Sequence, residues 1–367
     1  MKGSVLNATL DELKALVAEL TNWAETKGMF GDSRVEPGYN EVVIQDAFRS
    51  AGLQSATASL QDRRISYMGL NEANSSVVVY IEKPLRKADR DALKNVAHGN
   101  CIVEFHHAAR LTSGTLPSNA PSVPPYYQYN SDYYTCGSSV SVANEASAGT
   151  LGCLLVDPTG LIYALSNNHV FAGNNYCDIG MQIIAPGQFD IKANALDPFT
   201  LGHLHRAIPL IDGNPQIVDA KTNIDAAIIK VSAQDRISSM QRHHYDTPTA
   251  VAPIMPNMVV EKVGRTTGRT TGVVTSYHPT PQNIRCNIPR HGTFKIVHFQ
   301  DFWAVKSQAG IFSTGGDSGS LVTATLPDGT RAGVGMVFAG DPNISFIVPL
   351  DKVLGYFGLT LLANHNI

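Results

Sequence analysis

The sequence predicts a mainly β protein, in which a small α/β region precedes a larger region built from β-barrels. From residue 136 onward, short apolar runs alternate with glycine, proline and asparagine turns, a pattern typical of barrels. Before residue 107, helical and strand-like apolar spacings alternate instead. With 367 residues, 43% of them apolar and 16% charged, the chain can bury one or two sizeable cores.

Residues 1–107 predict a small α/β domain. The expected elements are helices over 9–27 and 41–52, a strand over 75–82, a helix over 87–98 and a strand over 101–106. A capping box from Thr9 to Glu12 begins the first helix, which we expect to pack on its own domain rather than on a partner. Strand, helix and strand within about 30 residues indicate a βαβ-type unit. The expected role of this domain is regulatory or partner-binding.

Residues 108–135 predict a linker, because the stretch is rich in proline, serine and tyrosine. The region from 136 to 367 then predicts the barrel domain. Its expected strands lie at 152–156, 161–165, 226–231, 272–276, 295–299, 319–323 and 333–338, and a final helix is expected over 349–357.

Composition excludes several classes of protein. A net charge of −3 gives no electrostatic basis for binding nucleic acid, and no stretch of about 20 apolar residues predicts a membrane span. The N-terminal residues lack the uninterrupted apolar core of a secretory signal. The five cysteines, at positions 101, 136, 153, 177 and 286, form no zinc-like spacing and predict free, mostly buried thiols. We therefore expect a cytoplasmic protein without metal or cofactor.

Residues 315–320, Gly-Gly-Asp-Ser-Gly-Ser, predict an exposed nucleophile in a sharp turn. Glycines on both sides of Ser318 allow the backbone to bend, so that the N–H groups of Gly316 and Ser318 can converge on an oxyanion. His169 follows an apolar run that reads as a buried strand, and Asp225 directly precedes another. A buried carboxylate needs a charged or hydrogen-bonding partner, and a histidine suits that role.

These three side chains together predict nucleophilic catalysis. A serine hydroxyl needs an adjacent base, histidine can accept and return its proton, and an aspartate fixes the imidazole tautomer. The chain order His169, Asp225, Ser318, with separations of 56 and 93 residues, differs from the α/β-hydrolase and subtilisin orders. The order that fits is the one found in chymotrypsin.

The chain resembles the trypsin-like (chymotrypsin-fold) serine peptidases over residues 136–360, and most closely an intracellular bacterial and plant branch that includes the plant narrow-leaf protein. The matching motifs are AGTLGC at 148–153, LSNNHV at 165–170, VD at 218–219 with DAAI at 225–228, VGRTTG at 263–268 and GDSG at 316–319. The resemblance implies a double β-barrel with the triad between barrels, and endopeptidase activity. It also implies a specificity pocket at Phe312 and along the strand that contains Gly335, with a small or apolar preference.

The chain departs from the family pattern in places. Ser320 stands where digestive enzymes have glycine, and Val170 follows the histidine where secreted animal members have a disulfide cysteine, so no bridge to Cys153 is implied. In processed members the aspartate equivalent to Asp317 pairs with a freed N-terminal amine. Two alternatives follow: cleavage in the linker supplies that amine, or an internal donor satisfies Asp317, which we favour.

Other functions remain open at this point. A protease fold without turnover would act as a binding protein, a zymogen would await linker cleavage, and an esterase would use the same triad. Among the remaining motifs, His203 and His205 share a strand face but lack further ligands for a metal. Residues 265–272 are a near repeat, RTTGRTTG, that predicts a hairpin rather than a phosphate loop.

Overall fold

The structure is a computed structural model that describes residues 8–30, 41–48, 53–93, 96–109, 112–113, 122–192, 196–288, 291–341 and 343–367. The chain forms two compact units. Unit 1 comprises Met1–Leu111, Thr275–Asn283 and Gln300–Phe302, and unit 2 comprises Thr112–Val274, Ile284–Phe299 and Trp303–Ile367. Residues 110–111 and 114–121 of the expected linker lie outside the described residues, so the predicted domain boundaries stay a prediction.

The secondary-structure elements are numbered in chain order. The helices are α1 Leu10–Thr26, α2 Glu41–Ala47, α3 Leu53–Arg63, α4 Lys87–Leu93, α5 Asn168–Phe171 and α6 Leu350–Phe357. The first strands are β1 Ile65–Asn71, β2 Ser76–Ile81, β3 Ala97–His98, β4 Cys101–His107, β5 Thr112–Ser113, β6 Gln128–Tyr129, β7 Tyr133–Cys136, β8 Ser139–Val142, β9 Gly149–Thr150, β10 Cys153–Val156, β11 Ile162–Ser166, β12 Gln182–Ala185, β13 Phe199–Ala207 and β14 Ala227–Val231.

The later strands all follow Val231. They are β15 Ile237–Gln241, β16 Tyr245–Asp246, β17 Ala250–Val251, β18 Val259–Gly264, β19 Gly268–His278, β20 Gln282–Ile288, β21 Thr293–Phe299, β22 Phe302–Ser307, β23 Leu321–Thr325, β24 Arg331–Gly340, β25 Ile344–Pro349 and β26 Thr360–Leu361. The predicted hairpin at 265–272 is confirmed, because β18 and β19 pair antiparallel up to Gly264 and Gly268.

Unit 1 is an α/β layer. The capping box from Thr9 to Glu12 begins α1 as predicted, and the apolar stripe of the helix is buried in the core of the unit. Strands β2 and β4 precede and follow α4 in the chain, and they pair in parallel with each other. This arrangement is the expected βαβ unit. The predicted helix over 87–98 was too long, because residues 97–98 already form β3. Elements α3 and β1 were not predicted.

Unit 2 is all-β apart from short helices. Its first sheet has the strand order β26-β10-β11-β14-β13-β12-β8-β9 in the described part of the chain. This sheet encloses an apolar core whose fully buried members include Leu151, Leu154, Ile183, Leu201 and Ile229. A four-stranded sheet, β16-β15-β7-β6, contributes Tyr134, Cys136 and Ile237 to the same core. A second core lies among later strands, with β18 pairing to β23, β23 to β24 and β24 to β25.

The fold class is mainly β, with a closed six-stranded barrel and a half-barrel, as the sequence predicts. Strands β10, β11 and β14 begin one residue later than expected, and β23 begins two residues later. Strand β23 starts at Leu321 rather than at residue 319, because Gly319 has a φ of +92° and remains in the preceding turn. The predicted C-terminal helix over 349–357 is confirmed as α6.

Leu154→Ala should destabilise unit 2, because Leu154 is fully buried in the first core. Deleting a buried leucine side chain costs about 2–5 kcal/mol of unfolding free energy. Leu161→Ala, at a leucine that is 39% exposed beside β11, is the matched control and should cost less than about 1 kcal/mol. Urea unfolding of both variants measures the difference, and equal losses would contradict the placement of this core.

Candidate active site

The first part of the site arises from the pairing of β11 with β14. These strands run antiparallel with Ser166 opposite Ala227, so the residues after β11 lie beside the residues before β14. This register brings His169, on α5, against Asp225. The His169 Nδ1 atom lies 2.6 Å from Asp225 Oδ2, and the His169 backbone N–H donates to Asp225 Oδ1 at 3.1 Å.

Asp225 is fully buried, and the His169 side chain is 5% exposed. Because both carboxylate oxygens of Asp225 bond to His169, the ring is held in one orientation. A carboxylate accepts hydrogen bonds, so Nδ1 carries the proton and Nε2 remains available as a base. Asn167 holds the same loop, since its Nδ2 donates to the Asp225 carbonyl at 2.6 Å.

The second part of the site is the turn over residues 315–320. Gly316 and Gly319 have φ values of +95° and +92°, a conformation that favours glycine. The turn closes on itself, because the N–H of Asp317 donates to the Thr314 carbonyl at 2.9 Å and the N–H of Ser320 donates to the Asp317 carbonyl at 3.1 Å. Ser318 lies between the two glycines and is partly exposed.

Thr150 joins this turn to the segment that carries His169. Its N–H donates to the Ser318 carbonyl at 2.8 Å, and its Oγ1 donates to the Gly316 carbonyl at 2.8 Å. The Thr150 carbonyl in turn accepts from Ser166 Oγ at 2.7 Å, three residues before His169. The structure therefore attaches the expected nucleophile turn to the end of β11.

Close backbone approach explains why glycines flank this junction. A Cβ on Gly319 would lie 2.1 Å from Ser166 Oγ and 2.5 Å from the Thr150 carbonyl oxygen. A Cβ on Gly152 would lie 2.3 Å from the Gly319 carbonyl oxygen. Neither position has room for a side chain, so both glycines allow the turn to lie against β9 and β10.

The structure does not join Ser318 to His169 by a hydrogen bond. Among the described residues, neither the Ser318 hydroxyl nor His169 Nε2 has a hydrogen-bond partner. Catalytic hydrogen bonds of this kind are often long or poorly aligned until substrate binds. Within the described part of the chain, the N–H groups of Gly316 and Ser318 also donate to no acceptor, which leaves both free to bind an oxyanion.

Asp317 is fully buried beside Ser318 and is satisfied from within the chain. Its Oδ1 accepts from the backbone N–H groups of Thr266 and Thr267 at 2.8 and 3.1 Å. Its Oδ2 accepts from Thr267 Oγ1 at 2.8 Å and from the Thr314 N–H at 3.0 Å. Lys262 supplies the opposite charge, with Nζ 3.5 Å from Asp317 Oδ1. This arrangement corresponds to the alternative in which donors within the chain, rather than a freed N-terminal amine, satisfy Asp317.

Lys262 was not singled out from the sequence. It lies fully buried on β18 and bonds to the Gly268 carbonyl at 3.0 Å and to Thr267 Oγ1. Burial lowers the pKa of Lys262 from 10.5 to about 8, although the charge of Asp317 favours the protonated form. The signal in the sequence is two charged residues, Glu261 and Lys262, inside the otherwise apolar strand Val259–Gly264, because buried charges require partners.

Two buried arginines support the same region. Arg265, fully buried, forms a bidentate ion pair with Asp190, with Nε 2.8 Å from Asp190 Oδ2, and its backbone N–H donates to Thr150 Oγ1 at 3.0 Å. Arg242 donates to the carbonyls of Gly137 and Gly264, each at 3.0 Å. Burial lowers the pKa of Arg242 to about 10, which leaves it charged at neutral pH.

The predicted pocket residues lie at or beside the second core. Phe312 is 2% exposed and belongs to the second core, where its carbonyl accepts from Thr270 Oγ1 at 2.7 Å. Gly335 is on β24, opposite Val322 and Pro349, and a Cβ there would lie 2.9 Å from the Val348 carbonyl oxygen. The pocket and its preference stay predictions.

All five cysteines lie in the described part of the chain and are free thiols, as expected. Four are buried and Cys177 is half-buried. Burial raises the pKa values of Cys136, Cys153 and Cys286, the last to about 12, so these thiols stay protonated and inert. In the described residues, no helix is both long and apolar enough to cross a membrane.

No protein-family model and no curated protein matches the chain. Solved structures that are similar include a glutamic acid-specific serine protease, described as using a histidine triad in substrate binding, at 15% identity and a TM-score of 0.41, covering 62% of this chain and 100% of that one. Protease A of Thermobifida fusca matches at 16% identity and a TM-score of 0.40, over 63% and 98% of the two chains.

A chymotrypsin of Cellulomonas bogoriensis matches at 15% identity and a TM-score of 0.39, over 63% of this chain and 98% of that one. These proteins are chymotrypsin-like serine proteases. Identities this low carry neither an activity nor a substrate over to this chain, because one fold hosts many functions. The narrower resemblance to an intracellular branch stays a prediction.

Lys262→Met should strongly destabilise unit 2, because it leaves the buried Asp317 carboxylate without its counter-charge. Breaking a buried pair in this way costs about 3–5 kcal/mol of unfolding free energy. Lys306→Met, at an exposed lysine on β22, is the control and should change stability by less than about 0.5 kcal/mol. If denaturant unfolding finds both variants as stable as the parent, the ion pair has no structural role.

Proposed function

We propose that this protein is a serine endopeptidase that acts through His169, Asp225 and Ser318. The observation that carries the proposal is the double hydrogen bond between Asp225 and His169, with the Ser318 turn fastened to the same strand end by Thr150. An acid that fixes one imidazole tautomer and a glycine-flanked serine in a turn held at the same strand end are the groups that acyl transfer requires. The similar solved structures are serine proteases, which agrees with this chemistry.

In the proposed reaction, His169 Nε2 removes the proton from Ser318 Oγ as this oxygen attacks the peptide carbonyl carbon. Asp225 stabilises the imidazolium that forms, and the N–H groups of Gly316 and Ser318 bind the oxyanion. His169 then gives the proton to the leaving amine, and the peptide C–N bond breaks to leave an acyl-enzyme. Water, deprotonated by His169, hydrolyses that ester and restores Ser318.

We further propose that the full-length chain is competent without cleavage in the linker. Lys262 and three threonines already satisfy Asp317, so a new N-terminal amine is not needed to order the turn. Unit 1 would then regulate activity or recruit partners rather than act as a pro-segment. A role in a reducing compartment is consistent with the five free thiols.

Labelling with a fluorophosphonate probe tests the proposed activity directly. The full-length protein should react at Ser318, because the probe traps a serine activated by an adjacent base. Ser318→Ala should abolish labelling, whereas Ser320→Ala, two residues away, should still be labelled. Mass spectrometry locates the adduct. A folded protein that takes up no label would instead indicate a silent protease fold.

The activity of the proposed enzyme should fall at alkaline pH. Lys262 is protonated below its pKa of about 8 and neutral above it, so raising the pH removes the counter-charge of Asp317 beside the nucleophile. We expect peptide hydrolysis to decline with an apparent pKa near that value. Lys262→Arg keeps its proton and should move the decline upward by at least about one pH unit. An unchanged alkaline limb in this variant would disprove the link.

A further inference from the structure

Unit 1 contains a strand with an open edge. Strand β4 pairs with β2 from Ile102 to His107 on one side. On its other side, β3 reaches only Cys101 and Ile102, and the Val103 N–H donates to the Val96 carbonyl at 3.0 Å. Within the described residues, no strand pairs with this outer edge beyond Val103. An unpaired edge of this kind offers its backbone groups to another chain.

The alternation of the backbone shows which groups are offered. The N–H groups of Ile102 and Ala108 donate to Ser75 and Ile81, towards β2. The Val103 N–H points the other way, so the groups of Phe105, two residues along, share that outward direction. The outer edge of β4 thus presents the N–H and carbonyl of Phe105 in extended geometry.

A cavity of about 860 Å³ lies between this edge and helix α4. Its apolar lining includes Pro84, Leu85, Leu93, Val96 and Phe105. This size is within the range of protein binding sites, and a mostly apolar lining is typical of them. The cavity can therefore receive apolar side chains from a segment that lies along β4.

Exposed cations are frequent in the stretch that leads into α4. Arg90 lines the cavity together with Asp91 and Glu104, and Lys83, Arg86 and Lys87 precede Arg90 in the chain. Lys83, Arg86, Lys87 and Arg90 are all exposed and form no ion pair with a described residue; we call these four the basic rim. Two nearby acids are already engaged, because Asp89 lies 3.4 Å from Arg63 and Glu104 lies 3.2 Å from His106. Glu82 and Asp91 are the other acids of this stretch, so the cations exceed the free acids.

We propose that unit 1 binds an extended acidic segment of another protein by strand addition to β4. The backbone of the segment pairs with the outer edge at Phe105, and alternate apolar side chains enter the cavity. Acidic residues of the segment complement the positive charge of the basic rim. This site is formed by residues of unit 1 alone, and binding there needs no turnover.

The first test uses a fluorescent peptide in which glutamate and valine alternate over ten residues, added to full-length protein carrying Ser318→Ala to prevent cleavage. Fluorescence anisotropy should give saturable binding. Two N-methylated versions, with methyl groups on alternate amides, distinguish strand addition from other modes. The version methylated on the paired amides should lose at least about tenfold in affinity, and the other should bind like the parent.

Charge reversal provides the second test. Lys83→Glu combined with Lys87→Glu should weaken peptide binding by roughly tenfold, since each exposed pair contributes a modest energy. Lys230→Glu combined with Lys306→Glu, at exposed lysines of unit 2, is the matched control and should bind as before.

Several outcomes would overturn the proposal. These are absence of saturable binding up to about 1 mM peptide, equal binding of a lysine–valine peptide, and equal affinity of both N-methylated versions. Binding to anionic vesicles that the rim substitutions abolish, without peptide binding, would assign the surface to lipid instead. None of these results depends on fluorophosphonate labelling, so they stay distinct from the test of the peptidase.

Discussion

Thr150 is the residue through which the two halves of the candidate site are held together. Its amide and hydroxyl donate to the carbonyls of Ser318 and Gly316, its hydroxyl oxygen accepts from the Arg265 N–H, and its carbonyl accepts from Ser166. These four bonds join segments that are far apart in sequence. Because Thr150 is fully buried, water does not compete for them, and the position of the turn depends on the packing of β9.

The parts of the site that could be predicted from the sequence are those with local signals. His169 and Asp225 stand at the ends of apolar runs, and glycines mark the turn around Ser318. Their proximity follows once β11 and β14 are paired, but the register of that pairing depends on distant packing. The ion pair of Arg265 with Asp190 joins residues 75 positions apart and has no local pattern. Lys262, like Glu261, is an ionisable residue in an otherwise apolar strand, which indicates a buried charge. Its role becomes clear only once its partner, Asp317, is known.

The elements of the fold also divide into those with a local sequence signal and those that depend on distant packing. Helix α1 was predictable because its apolar stripe and capping box are both local features. Helix α3, with the sequence LQSATASLQDR, has few apolar residues and weak helical periodicity, so its existence depends on the surrounding packing. Strand β1 contains Gly69 within a run that is nearly all buried, which obscures the alternation expected of a strand. The βαβ unit was predictable because β2 is an almost continuous apolar run and β4 begins with one, Cys101 to Val103.

Buried charge is concentrated behind the nucleophile turn. Lys262, Arg242 and Arg265 are all buried. Asp317 pairs with Lys262, Asp190 pairs with Arg265, and Arg242 donates to backbone carbonyls. Such groups tolerate little displacement, since an unpaired buried charge is costly. The nucleophile turn is therefore held by buried charges and backbone amide donors. His169, which follows a strand of the first core, is held through the Asp225 carboxylate. A rigid support of this kind keeps backbone donors in place before any ligand arrives.

The uneven burial of the thiols has a practical consequence. Cys177 is the half-buried member, and it follows helix α5 by six residues, while the other four are enclosed in cores or sheets. A maleimide dye or spin label should therefore attach at one natural position, close in sequence to His169, without engineered cysteines. Cys177 is thus a natural attachment point for a label that reports movements of that loop.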